Sequence, residues 1–80
     1  MYETIKTRIT AKLTDSAPKV LLYLDIDVSN ARLNMEMHKY DLADFWINIL
    51  SGYLDCMEAQ GVITAEESHG LISELRGIGT

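Results

Sequence analysis

Nucleophilic catalysis needs a serine or cysteine beside a base and an orienting acid. The single cysteine, Cys56, has no histidine near it in the sequence and sits between Tyr53 and Met57 in an apolar helical pattern. It reads as a small buried thiol. Ser51-Gly52 lies inside the same pattern and makes no strained elbow. His38 and His69 are the only histidines, and no His-x-x-x-His or Cys-x-x-Cys spacing accompanies them, so the ligand arithmetic of a structural metal is missing. Asp25 and Asp27 share one side of an alternating segment, as ligands of a hard cation would, but cationic neighbours are expected beside them. Gly77-Ile78-Gly79 follows the last helical pattern and opens no helix that would receive a phosphate. These residues imply no enzyme, no metal and no cofactor.

The elements around them divide into two halves. From Thr4 to Leu13 the residues alternate, with Ile5, Thr7, Ile9, Ala11 and Leu13 on one side. Tyr2, Ile5, Ile9 and Leu13 also fit a helix, being three and four apart; the strand is preferred for its β-branched content. Asp15-Ser16-Ala17-Pro18 is a turn. Val20, Leu22, Leu24, Ile26 and Val28 repeat the alternation, Ser29-Asn30 turns the chain, and Leu33, Met35 and Met37 repeat it again. With Leu13 opposite Val20 and Val28 opposite Ala31, Ile9, Leu24 and Met35 stack on the inner face. Lys6, Asp27 and Arg32 then meet on the outer face, as do Arg8 and Asp25, and such cross-strand charge pairs stabilise by a few tenths to about 1 kcal/mol.

The second half changes period. Asp41 opens a helix from Leu42 to about Gln60, and Gly61 supplies a left-handed terminator. Thr64 caps a short helix that carries Glu66 and Glu67 in its first turn and Leu71, Ile72 and Leu75 on its buried side, and that ends at Gly77. The tail Ile78-Gly79-Thr80 is expected to be loose. The expected fold is α+β over residues 1–80 as a single domain: a three-stranded antiparallel meander with a two-helix hairpin on one face, β-β-β-α-α.

Composition narrows the function. Seven cationic against twelve acidic side chains give a net charge of −5, and 48% of residues are hydrophobic. An acidic chain does not attract phosphate backbones in bulk, so direct nucleic-acid binding is disfavoured. One cysteine excludes a disulfide scaffold, and no leader or membrane span is visible, which places the protein in the cytoplasm by elimination. A chain of 80 residues gains little net stability alone, which makes a homodimer plausible.

Two surfaces stand out. No Lys or Arg occurs between Lys39 and Arg76, so Asp44, Asp55, Glu58, Glu66 and Glu67 form a candidate docking surface for a protein with a basic or nucleic-acid-binding face. The helix from Leu42 also holds more large apolar residues than a small sheet covers, leaving a candidate partner patch around Trp46, Leu50 or Leu54. Tyr23, among the cations of the outer sheet face, is a further contact candidate. The expected function is a non-enzymatic inhibitor or regulator of the antirepressor, anti-restriction or anti-CRISPR kind, by analogy of size and charge with proteins of phages and mobile elements. The alternatives are a homo-oligomeric adaptor module and a small nucleic-acid binder using the sheet face.

Overall fold

The computed structural model describes all of residues 1–80, and it contains four α-helices and no strand: α1 (Tyr2–Lys12), α2 (Ala17–Glu36), α3 (Tyr40–Ala59) and α4 (Ala65–Arg76). The expected β-β-β-α-α fold is therefore corrected to an all-α one. The second half follows the helical expectation to within two residues at each boundary. The first half does not: the segments read as three strands are α1 and α2, and Ser29-Asn30 is no turn but the middle of α2. Asn30 and Asn34 donate side-chain hydrogen bonds to the carbonyls of Ile26 and Asn30, one turn back along the helix.

The reason lies in α2. Its buried residues Ala17, Leu24, Val28, Ala31 and Met35 recur at helical spacing. A second set, Leu22, Ile26, Leu33 and Met37, also apolar, is exposed. Interleaved, the two sets give an alternating pattern that imitates a strand. No glycine or proline interrupts the chain from Lys19 to Ser51, and Pro18 stands at the start of α2, where its missing N–H costs nothing.

In α1, Ile5 and Ile9 are fully buried and Tyr2 and Leu13 partly so, which is the helical spacing already visible in the sequence. The cross-strand charge pairs dissolve with the sheet. The Tyr2 hydroxyl instead donates to Asp25, and Asp27 joins none of the ion pairs.

Helices α2 and α3 form an antiparallel hairpin through the turn Met37–Lys39. His38 N–H donates to the Met35 carbonyl and Lys39 N–H to that of Asn34, the two bonds of a Schellman motif, with His38 at φ 57° in the left-handed position. The same motif closes α3: Gly61, at φ 75°, donates to Glu58, and Val62 to Met57. Here glycine takes the left-handed residue at no steric cost, and Val62 and Met57 pack together in the core.

Helix α1 packs on α2, α4 packs on both α3 and α2, and α1 and α4 touch each other, but α1 does not reach α3. The molecule measures 36 × 22 × 18 Å. The long dimension is set by the two 20-residue helices, each about 30 Å long, and the short one leaves room for two helix layers. The core lies between the layers and includes Ile5, Ile9, Leu24, Ile47, Leu50, Leu54, Leu71 and Leu75. The C-terminal tail, expected to be loose, lies against the body: Ile78 packs on the core, and Gly79 approaches the Met35 carbonyl and the His38 ring.

Glu67 ties the smaller layer together. Thr64 Oγ1 accepts from the Glu67 N–H at 3.1 Å, and Glu67 Oε1 accepts from the Thr64 N–H at 2.9 Å, a complete capping box. Its other oxygen accepts from Arg8 Nε of α1 at 2.5 Å. The Thr64 backbone bond and then Arg8 hold the Glu67 carboxyl below the usual carboxylate range despite its burial. A lowered native value means stability present above the unfolded value and lost as pH falls through the folded one. Glu67→Ala should therefore destabilise the chain by about 2 kcal/mol in urea melts at pH 7. Glu67→Gln should cost less, because its amide oxygen keeps the Thr64 bond, and it should lack the part of the acid sensitivity that Glu67 supplies.

Candidate protein-contact face

Going around α2 at 100° per residue, the buried stripe through Leu24, Val28 and Met35 faces the second layer. On one flank Asp25 meets Tyr2 of α1. On the other flank stand Tyr23 and Asp27, near enough to Tyr53 of α3 for their charge to raise its hydroxyl. Leu22, Ile26, Leu33 and Met37 point away from the core between these flanks. Around α3, the buried stripe is Ala43, Ile47, Leu50, Leu54 and Met57, and Asp44 on the α4 side pairs with Arg76 at 2.7 Å. Leu42, Phe45 and Ile49 are exposed on the other side, beyond the half-buried Trp46 and Tyr53. The two exposed stripes thus lie on the same side of the hairpin, opposite α1 and α4.

Eight large side chains form this face: Leu22, Tyr23, Ile26, Leu33 and Met37 from α2, and Leu42, Phe45 and Ile49 from α3. Each is between 42% and 57% exposed. At roughly 100 Å² apiece they leave about 800 Å² of largely apolar surface in water. The largest apolar patch of an ordinary monomer is about 300–600 Å², so scattered surface leucines do not account for it. The face is sparsely charged: Glu36 and Asp41 stand at its hairpin-turn end, and Lys19 lies beyond Leu22 at the other. The other charges of α2 and α3 stand nearer the flanks of their helices, and Asp27 is buried.

The spacing is also regular. On α3, Leu42, Phe45, Ile49, Gly52 and Cys56 follow one another at three, four, three and four residues, and on α2, Leu22, Ile26, Ser29 and Leu33 at four, three and four. That is the seven-residue periodicity by which a helix presents a seam to another helix. A shallow apolar cavity of about 190 Å³ opens at one end of the hairpin, lined by Leu13, Val20, Tyr53, Cys56, Met57 and Gln60. Cys56, expected to be buried, is exposed at its edge.

The residues singled out in the sequence are distributed as follows. Tyr23 is on the apolar face, and Trp46 lies beside it, its ring edge-on to Phe45 at 5.4 Å. Leu50 and Leu54, named for the same patch, are fully buried, and the surplus is carried by Leu42, Phe45 and Ile49 instead. Asp44 pairs with Arg76, and Glu67 is committed to Thr64 and Arg8. Asp55, Glu58 and Glu66 take part in no ion pair. Tyr23 apart, the α2 half of the face is not visible in the sequence, where its residues fall on both sides of two expected strands.

No group of three His, Cys, Asp or Glu side chains is placed to hold a metal ion, and no helix is long and apolar enough to cross a membrane. A cavity of about 400 Å³ at the hairpin turn is open and is lined by His38, Lys39, Tyr40, Asp41 and Leu42. There His38 Nδ1 lies 2.7 Å from the Tyr40 hydroxyl, and no serine or cysteine lines the cavity. No protein-family model matches the chain, and no curated protein or solved structure matches it either.

Asp27 marks the inner border of the face. It is only 7% exposed, and burial raises its carboxyl above the ordinary carboxylate value. Burial also raises the Tyr53 hydroxyl, and Tyr23 and Asp27 add to it. A raised native value means that the folded state favours the protonated acid. Its stabilising contribution is complete below the unfolded value and is lost as pH rises through the folded one. Asp27→Asn should accordingly melt at a higher temperature than the natural chain at pH 7, with the gap closing as pH falls toward 4. An equal gap at both pH values would show that the carboxylate is not held at a cost.

Proposed function

We propose that this chain acts by protein–protein association through the apolar face of the α2/α3 hairpin, as a small non-enzymatic binding module of the regulator or adaptor kind. The observation that carries this reading is the extent of the face: about 800 Å² of apolar surface matches what one partner brings to an interface of standard size. Its aromatic and branched content is that of interface centres, where Tyr, Trp, Phe and Met are enriched and charge is depleted. Affinity would reside in a few anchors, with Phe45 and Leu33, two of the most exposed, at their centre.

The charge-led version is the second reading. Asp55, Glu58 and Glu66 have no cation within the chain to answer them, so a basic partner would find three free carboxylates on α3 and α4. It has the weaker support, because Asp44 and Glu67 are neutralised internally and exposed charge pairs contribute little each.

The two readings separate by capture from lysate of the native host. The tagged full chain should retain a protein in stoichiometric amount, Phe45→Glu with Leu33→Glu should lose it, and Asp55→Lys with Glu58→Lys should keep it. Retention by the first double variant together with loss by the second would transfer the function to the acidic side. Circular dichroism of each variant checks that the fold persists, as expected for exposed positions.

A further inference from the structure

We infer that the partner on the α2/α3 face is a second copy of this chain, so that two hairpins meet face to face and complete a four-helix layer between them. The inference rests on the association reading above and names its occupant.

The first ground is area. Two copies each contributing about 800 Å² make an interface of about 1,600 Å², the size of a standard stable complex. The second is charge. The chain carries a net −5, so two copies repel unless their contact avoids the charged sides. This face is the least charged side of the hairpin, with Glu36 and Asp41 confined to its hairpin-turn end. A second copy brings the same sparsely charged surface, as a two-fold contact requires. The third is periodicity. The seven-residue spacing of both exposed stripes suits packing against helices, and a second hairpin supplies two with the same spacing.

The fourth ground is Gly52. It stands well inside α3, where glycine costs about 1 kcal/mol relative to alanine. A side chain there would meet nothing within 4 Å inside the chain, so no intramolecular contact accounts for it. It falls on the exposed seam between Ile49 and Cys56. A glycine at that place lets a helix from outside approach the α3 backbone closely.

The test uses the purified full chain in sedimentation equilibrium from about 5 to about 200 µM, a range over which mass action resolves micromolar association. The expected mass is twice the 9.0 kDa of the chain at the upper end, falling toward one chain on dilution. Phe45→Glu and Leu33→Glu should each give a single-chain mass throughout, with helical circular dichroism intact. Gly52→Ala discriminates further. In an isolated chain alanine improves the helix and nothing else changes, but in the paired state its methyl group forces the helices apart, so the dissociation constant should rise roughly tenfold.

A single-chain mass for the natural sequence at every concentration overturns the inference, as does a doubled mass that survives Phe45→Glu. A single-chain mass combined with capture of another protein, lost in the Phe45→Glu/Leu33→Glu variant, overturns the second copy as occupant but leaves the association reading standing. Loss of both self-association and capture overturns the two together.

Discussion

The mismatch in length between the helices governs this molecule. Helices α2 and α3 have 20 residues each and pair along their length, whereas α1 and α4 have 11 and 12. At 1.5 Å per residue the long pair offers two faces about 30 Å long, and each short helix spans little more than half of that. Both short helices are needed to cover one face, and nothing in the chain remains for the other. The exposed apolar stripes follow from this constraint. An 80-residue chain has one core to fill, and this one places it entirely between the hairpin and its short cover.

How the cover is fastened shows where stability is concentrated. Apolar packing of Ile5, Ile9, Leu71 and Leu75 supplies the bulk of it. Direction comes from a few polar links between distant parts of the chain: Arg8 to Glu67, the N-terminal ammonium to Glu74, Arg76 to Asp44, and Lys12 to the Gly61 carbonyl. Most are exposed and contribute little each. Glu67 differs because it is buried and serves a helix cap, a loop and a neighbouring helix at once. Truncating it leaves several donors without partners rather than one.

The sequence made half of this fold legible. In α3 and α4 the apolar residues fall on one dominant stripe, the capping box Thr64–Glu67 is explicit, and Gly61 stands where a left-handed residue is needed. In α2 two apolar stripes on opposite sides of one helix add up to an alternation, and pattern reasoning converts that sum into a strand. Tyr2, Ile5, Ile9 and Leu13 gave the correct period for α1, but it was outweighed by the β-branched residues Ile5, Thr7, Ile9 and Thr10, most of which simply face solvent or core in a helix. The surface was partly legible. The apolar surplus on α3 could be read, whereas Tyr23 was expected among the cations of a sheet face and stands instead on an exposed, largely apolar side of α2. That Leu50 and Leu54 turn inward while Phe45 and Ile49 turn outward depends on where α4 and α2 sit, which periodicity alone does not fix. The misreading has a physical lesson: the property that spoiled the strand assignment, an apolar back to α2, is the same property that makes the face a candidate for association.

Charge needs the same distinction between sequence and space. The stretch from Tyr40 to Leu75 contains no Lys or Arg, and in the sequence it resembles an acidic band. In the folded chain Asp44, Glu67 and Glu74 each meet a cation from far away, at separations of 32, 59 and 73 residues. These cations come from the two ends of the chain, which the small layer brings back over the hairpin. The band is thus partly neutralised from outside itself, and the remaining free carboxylates are spread over α3 and α4 instead of forming one continuous field. Mild net charge so distributed favours solubility and does little to select a partner. The side of the hairpin opposite α1 and α4 is sparsely charged by comparison, and Gly52 leaves open space on its α3 stripe.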